Sequence, residues 1–99
     1  MIDLASIEGF EWDEGNARKS LDKHSVSQAE AEQVFPGEPL LADDVGHSET
    51  EARFLALGET REERRLHITF TLRDHGRKLR IISARDMNRK ERAIYEQEA

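Results

Sequence analysis

Leu66-His67-Ile68-Thr69-Phe70-Thr71-Leu72-Arg73 alternates apolar and polar side chains without a break. That period of two is the mark of a strand with one face buried. Asp74-His75-Gly76 punctuates the chain after it, and Arg77 to Ala84 reads as a second, hairpin-paired strand. An even number of loop residues puts Leu79 and Ile81 on the face of Ile68 and Phe70. A slip by one residue would bury Arg80 there instead, which is too costly for a lone cation. Lys78, Arg80 and Ile82 then share the opposite face with His67, Thr69 and Thr71.

Upstream, Arg53 to Glu59 reads as a third strand with Thr60 to Glu63 as its turn, and Leu40-Leu41-Ala42 as a shorter candidate. Before these the period changes. Asp13 is placed to cap a helix that ends near Lys23, with Ala17, Leu21 and His24 on one stripe. Ser27-Gln28-Ala29-Glu30 is a capping box, with Val26 and Ala31 as its hydrophobic staple, and opens a helix that Pro36-Gly37 stops near Val34 or Phe35. Asn88-Arg89-Lys90-Glu91 opens a last helix through Ala93, Ile94 and Tyr95. Phe10 and Trp12 are most simply core anchors. N-terminal helices, an antiparallel β-meander of three to four strands and a C-terminal helix make an α+β fold.

Ninety-nine residues suffice for one domain, spanning 1–99, and rule out a two-domain enzyme. Hydrophobic residues are 36% of the chain, so the core is small. No apolar run is long enough for a membrane span, and Met1-Ile2-Asp3-Leu4 is no signal peptide, so the chain reads as cytoplasmic. The absence of cysteine excludes disulfides, thiolate metal sites and a cysteine nucleophile. The net charge of −6 is unevenly spread: residues 1–50 carry 3 Lys/Arg against 12 Asp/Glu, and residues 51–99 carry 12 against 9. Within 73–92, eight basic residues face three acidic ones. A basic surface on an acidic protein suits a polyanion site, although charge runs are commonly only solvated surface.

Arginine pairs bidentately with phosphate and keeps its charge, so arginines on a sheet face can hold a phosphodiester and stabilise the charge that builds on it. With a proton acceptor and a proton donor nearby, RNA can be cleaved by its own 2′-hydroxyl without a metal. His24, His47, His67 and His75 are the available imidazoles, and spacing alone selects none of them. His47 lies near Asp43, Asp44, Glu49 and Glu51, but no regular ligand spacing supports a metal there, and no cofactor is expected. Phosphate-cradling glycine loops and serine-nucleophile motifs are absent from the sequence.

Five ordered segments carry a resemblance: Phe10-Glu11-Trp12-Asp13; Leu21-Asp22-Lys23-His24-Ser25-Val26-Ser27; His47-Ser48 through Glu51-Ala52-Arg53-Phe54; Arg80-Ile81-Ile82-Ser83-Ala84-Arg85; and Glu91-Arg92 with Tyr95-Glu96. Together the chain resembles the BrnT toxins of bacterial type II toxin–antitoxin systems. The resemblance implies a RelE-like α+β fold and a ribonuclease that arrests translation and growth. It also implies neutralisation by a BrnA-like ribbon-helix-helix antitoxin, in a heterotetramer that touches DNA only through the antitoxin. Carried over by position, it points to Lys23, His24, Arg53, Arg80, Ser83 and Arg85 as the catalytic set, with Glu51 matching as a carboxylate that would need a role such as general base. Ser25 stands where the family commonly has glycine, and Gln28 where an aromatic is usual. A competing expectation is a degenerate toxin that binds the antitoxin as a corepressor without cleaving RNA. A housekeeping RNA-binding protein is a third.

Overall fold

The computed structural model describes residues 2–44 and 51–98. Its elements are β1 (Gly9–Trp12), α1 (Glu14–His24), α2 (Gln28–Gln33), β2 (Leu40–Asp43), β3 (Phe54–Glu59), β4 (Arg65–Arg73), β5 (Lys78–Asp86) and α3 (Arg89–Glu98). They form one five-stranded sheet in the order β1-β5-β4-β3-β2, in which β2 to β5 are the antiparallel meander. The sequence reading stops at four strands because it takes Phe10 and Trp12 only as core anchors. Gly9–Trp12 is in fact a short parallel edge strand on β5. Four residues are too few for alternation to stand out, and the parallel partner lies some seventy positions away in the chain.

The caps stand where the sequence places them. Asp13 Oδ1 accepts from the Asn16 N–H at 3.1 Å, and Ser27 and Glu30 form the reciprocal box that starts α2. Asn88 Oδ1 and the Glu91 carboxylate exchange bonds with each other's backbone N–H at 2.8 and 2.9 Å. Ser25, after α1, is left-handed at φ 56°, the backbone state that favours glycine.

One face of the sheet is the core face. Ala56, Leu66, Ile68, Phe70, Leu79, Ile81 and Ala84 are fully buried there against Val26, Ala31, Val34 and Phe35. Phe35 lies with ring centroids 5.6 Å from Phe10 and 5.3 Å from Phe70. The chain packs so closely there that a Cβ at Gly58 would meet Val34 Cγ1 at 2.6 Å. Beyond Trp12, where β1 ends opposite Ile81, the Ala84 N–H donates to the buried Ser20 hydroxyl at 3.1 Å. Helix α1 thus takes over from β1 as the cover along the edge of β5.

Candidate functional site

The decisive local feature is a break in register between Thr69 and Phe70 of β4. Phe70 pairs with Ile81, but Thr69 pairs with Ser83, so Ile82 is the extra residue of a β-bulge. Simple alternation would put Arg80 outward and Arg85 into the core. With the bulge, Thr71 faces Arg80, Thr69 faces Ser83 and His67 faces Arg85, so all three β5 side chains project from the face opposite the core. The sequence reading of Lys78 and Arg80 on that face holds, but it carries no provision for the bulge that brings Ser83 and Arg85 to join them.

The outer face has an open half and a covered half. On the open half, Lys78 pairs across with Arg73, and Arg80 with Thr71. Arg53 immediately precedes β3 and extends the same row beyond Thr71, whose hydroxyl donates to the Ala52 carbonyl at 2.8 Å. The Arg53 carbonyl is itself fixed by the Asp44 N–H at 2.9 Å. Among the described residues Arg80 has one long polar contact, 3.4 Å from Nη2 to Asp13 Oδ2. Arg73 pairs with Glu51 at 3.3 Å, which draws that carboxylate to the cation row.

On the covered half, Arg85 is held by α3. Its two terminal nitrogens donate to the two oxygens of Glu91, both at 2.8 Å, and Nη1 also donates to the Asp86 carbonyl. The Arg85 guanidinium and the Asn88 N–H hold the Glu91 carboxyl down at about 2. His67 Nε2 lies 3.6 Å from Glu91, beyond hydrogen-bond reach, while Nδ1 is buried without a partner among the described residues. Burial, assisted by the Arg85 charge, lowers the His67 pKa and favours the neutral imidazole. Arg65 pairs with Glu59 and Glu96 and lies over the Tyr95 ring, so α3 is fastened at both ends although none of its residues is buried.

Lys23 and His24 occupy the last turn of α1, where positive charge suits the helix end. They are not beside Arg80. Asp13, which touches Arg80, starts the helix, and eleven residues at about 1.5 Å each put its far end roughly 16 Å away. The His24 carbonyl instead accepts from Arg64, which also binds the Ser25 carbonyl, Glu30 and Asp86. Sequence reasoning did not single out Arg64, or the second bond of Glu91. The Asn88-to-Glu91 box flagged Glu91 as a helix cap and concealed its grip on Arg85. His47 and the Val45-to-Ser48 loop lie outside the described residues, as does Glu49. Among the described residues no three His, Asp or Glu side chains converge as a metal site, and no helix is long and apolar enough to cross a membrane.

The fold is that of a ribonuclease toxin. The chain superposes on the 1.1 Å crystal structure of the Brucella abortus ribonuclease toxin BrnT with a TM-score of 0.59, at 19% identity, over 82% of this chain and 97% of that one. Residues 12–91 match the family described as the ribonuclease toxin, BrnT, of type II toxin–antitoxin systems. The chain belongs to that family. Comparison with curated protein sequences gives no match.

Proposed function

We propose that this chain is a metal-independent endoribonuclease whose cleavage of RNA inhibits translation and growth, neutralised by a BrnA-like ribbon-helix-helix antitoxin in a heterotetramer. The observation that carries the reading is the outward row of Arg80, Thr71 and Arg53, with Ser83 turned to the same face by the bulge. In this reading Arg80 and Arg53 grip the scissile phosphate. Charge builds on its non-bridging oxygens as the 2′-hydroxyl attacks, and fixed cations stabilise that state more than the ground state. Ser83 adds a hydroxyl that can donate to a phosphate oxygen. Glu51, held beside the row by Arg73, accepts the 2′-hydroxyl proton in this reading; the attack closes a 2′,3′-cyclic phosphate and breaks the bond to the 5′-oxygen, which leaves with a proton from water. Arg85 acts by fastening α3 through Glu91, and Lys23 and His24 bind the RNA backbone farther along rather than moving protons.

The test is inducible expression with and without a ribbon-helix-helix antitoxin, following growth and total RNA, with Arg80→Ala alongside. Growth arrest with RNA cleavage, relieved by the antitoxin and by a folded Arg80→Ala variant, is the expected result. The closed Arg85–Glu91 pair favours a second reading, a noncatalytic antitoxin-binding module. Normal growth and intact RNA from folded protein that still binds the antitoxin would select it.

A further inference from the structure

On the open half of the outer face the cations recur with the strand period. Lys78 and Arg80 are successive outward residues of β5, with Arg73 and Thr71 opposite them on β4. Two residues of strand advance about 6.6 Å, close to the step between successive phosphates of an extended single strand, and neighbouring strands lie about 4.8 Å apart. Lys78 with Arg73 is therefore a second pair of cations, one phosphate step from the Arg80 row.

Two details describe how this second pair is held. In the parallel pairing of β1 with β5, Gly9 lies opposite Lys78, and a Cβ there would stand 3.0 Å from Lys78 Nζ and 3.7 Å from its Cδ. The lysine side chain thus lies across β1 in space that the glycine leaves open, and among the described residues it has no ion-pair partner. Arg73 keeps a buried Nε with no acceptor among the described residues while its Nη2 is tied to Glu51. Gly9 has no left-handed backbone, so conformational freedom does not account for a glycine there.

We propose that Lys78 and Arg73 form a subsite for the phosphate next to the scissile one, so that single-stranded RNA lies along β5 with its backbone following the strand. The proposal rests on the RNA-cleaving reading above and deepens it. Glu11, opposite Arg80 on β1, and Glu51, Asp13 and Asp74 keep this track only moderately attractive. Binding by so few phosphate contacts is weak and salt-dependent, and carries no base preference of its own.

The experiment measures binding of a short single-stranded oligoribonucleotide, made uncleavable by 2′-deoxy substitution, by anisotropy over a salt series. Its cleavable parent is assayed in parallel. Lys78→Ala should weaken binding about fivefold and reduce the slope of log affinity against log salt by about 0.7, the value for one phosphate contact on a single strand. On the cleavable strand KM should rise in step while kcat holds. Gly9→Ala, whose Cβ at 3.0 Å shifts the end of the lysine by only a few tenths of an ångström and removes no charge, should change affinity and slope far less than Lys78→Ala. Unchanged affinity and slope in Lys78→Ala and in the Lys78→Ala/Arg73→Gln double variant would overturn the proposal, as would a fall in kcat with KM constant in Lys78→Ala alone. RNA binding intact but antitoxin binding lost would reassign these cations to a protein partner. A wild-type protein that shows the full binding pattern but cleaves nothing would retain the subsite and sink the ribonuclease reading alone.

Discussion

Arg80 and Arg85 lie on one strand, project from one face and flank one bulge, yet they are held in different ways. Arg85 is closed by two 2.8 Å bonds to Glu91 of α3, whereas among the described residues Arg80 has one long contact, to Asp13 at 3.4 Å, although the two side chains are similarly exposed, at 34% and 28%. Residue type and position in the strand do not tell these two arginines apart. What separates them is how fully a carboxylate from another element holds the guanidinium, by two short bonds at Arg85 and by one long contact at Arg80.

The largest effect expected from this contrast is on activity. Arg80→Ala should lower RNA cleavage by roughly 10²–10³, as loss of a charge-stabilising donor commonly does, and leave the thermal midpoint near wild type. Arg85→Ala should do the reverse, keeping most of the cleavage and lowering the midpoint. Paired rate and melting measurements decide it, and equal loss of activity in both variants would erase the distinction.

Next comes the acid limb of stability. The folded Glu91 carboxyl is lowered from 4.5 to about 2 by Arg85, so its contribution is fully present above about pH 4.5 and lost as the pH falls towards 2. Such a shift corresponds to at most about 3 kcal/mol. His67 acts in the same direction: its pKa is lowered from 6.5 by burial, so stability falls as the pH drops below that value. Urea unfolding at pH 6 and pH 3 should show Glu91→Gln less stable at the higher pH and flatter between the two. An unchanged slope would mean that the pair holds nothing together.

Ser25→Gly should raise stability by about 1 kcal/mol, because the αL position at φ 56° costs serine what glycine does not pay. Cleavage should not change. The smallest effect belongs to His24→Ala, with a cleavage rate within about twofold of wild type, as for surface changes away from the chemistry. A hundredfold loss there would return the proton step to α1.

Much of this molecule is legible in the amino-acid order, wherever the interactions are local. The alternation from Leu66 to Arg73 and the three helix starts each depend on residues within a few positions of one another, and the structure has them there. Illegible were the interactions that reach across the chain. Gly9–Trp12 becomes a strand only because β5 lies beside it, and Arg64 gathers His24, Ser25, Glu30 and Asp86 from three elements. The candidate site divides along the same line. Its arginines are identifiable as a charged group, but the bond from Glu91 that sets Arg85 apart is made only when α3 folds back over the sheet.

The extra residue at Ile82 makes strand length a matter of parity. Substitution can change what stands at a position of β5 but not which side of the sheet that position faces. Only adding or removing a residue does that, and it moves every later side chain at once. Arg85 faces outward through an odd count that no exchange of one amino acid for another could have supplied. Related chains that differ by one residue in this strand would present the opposite set of side chains beyond the change, even with every other residue the same.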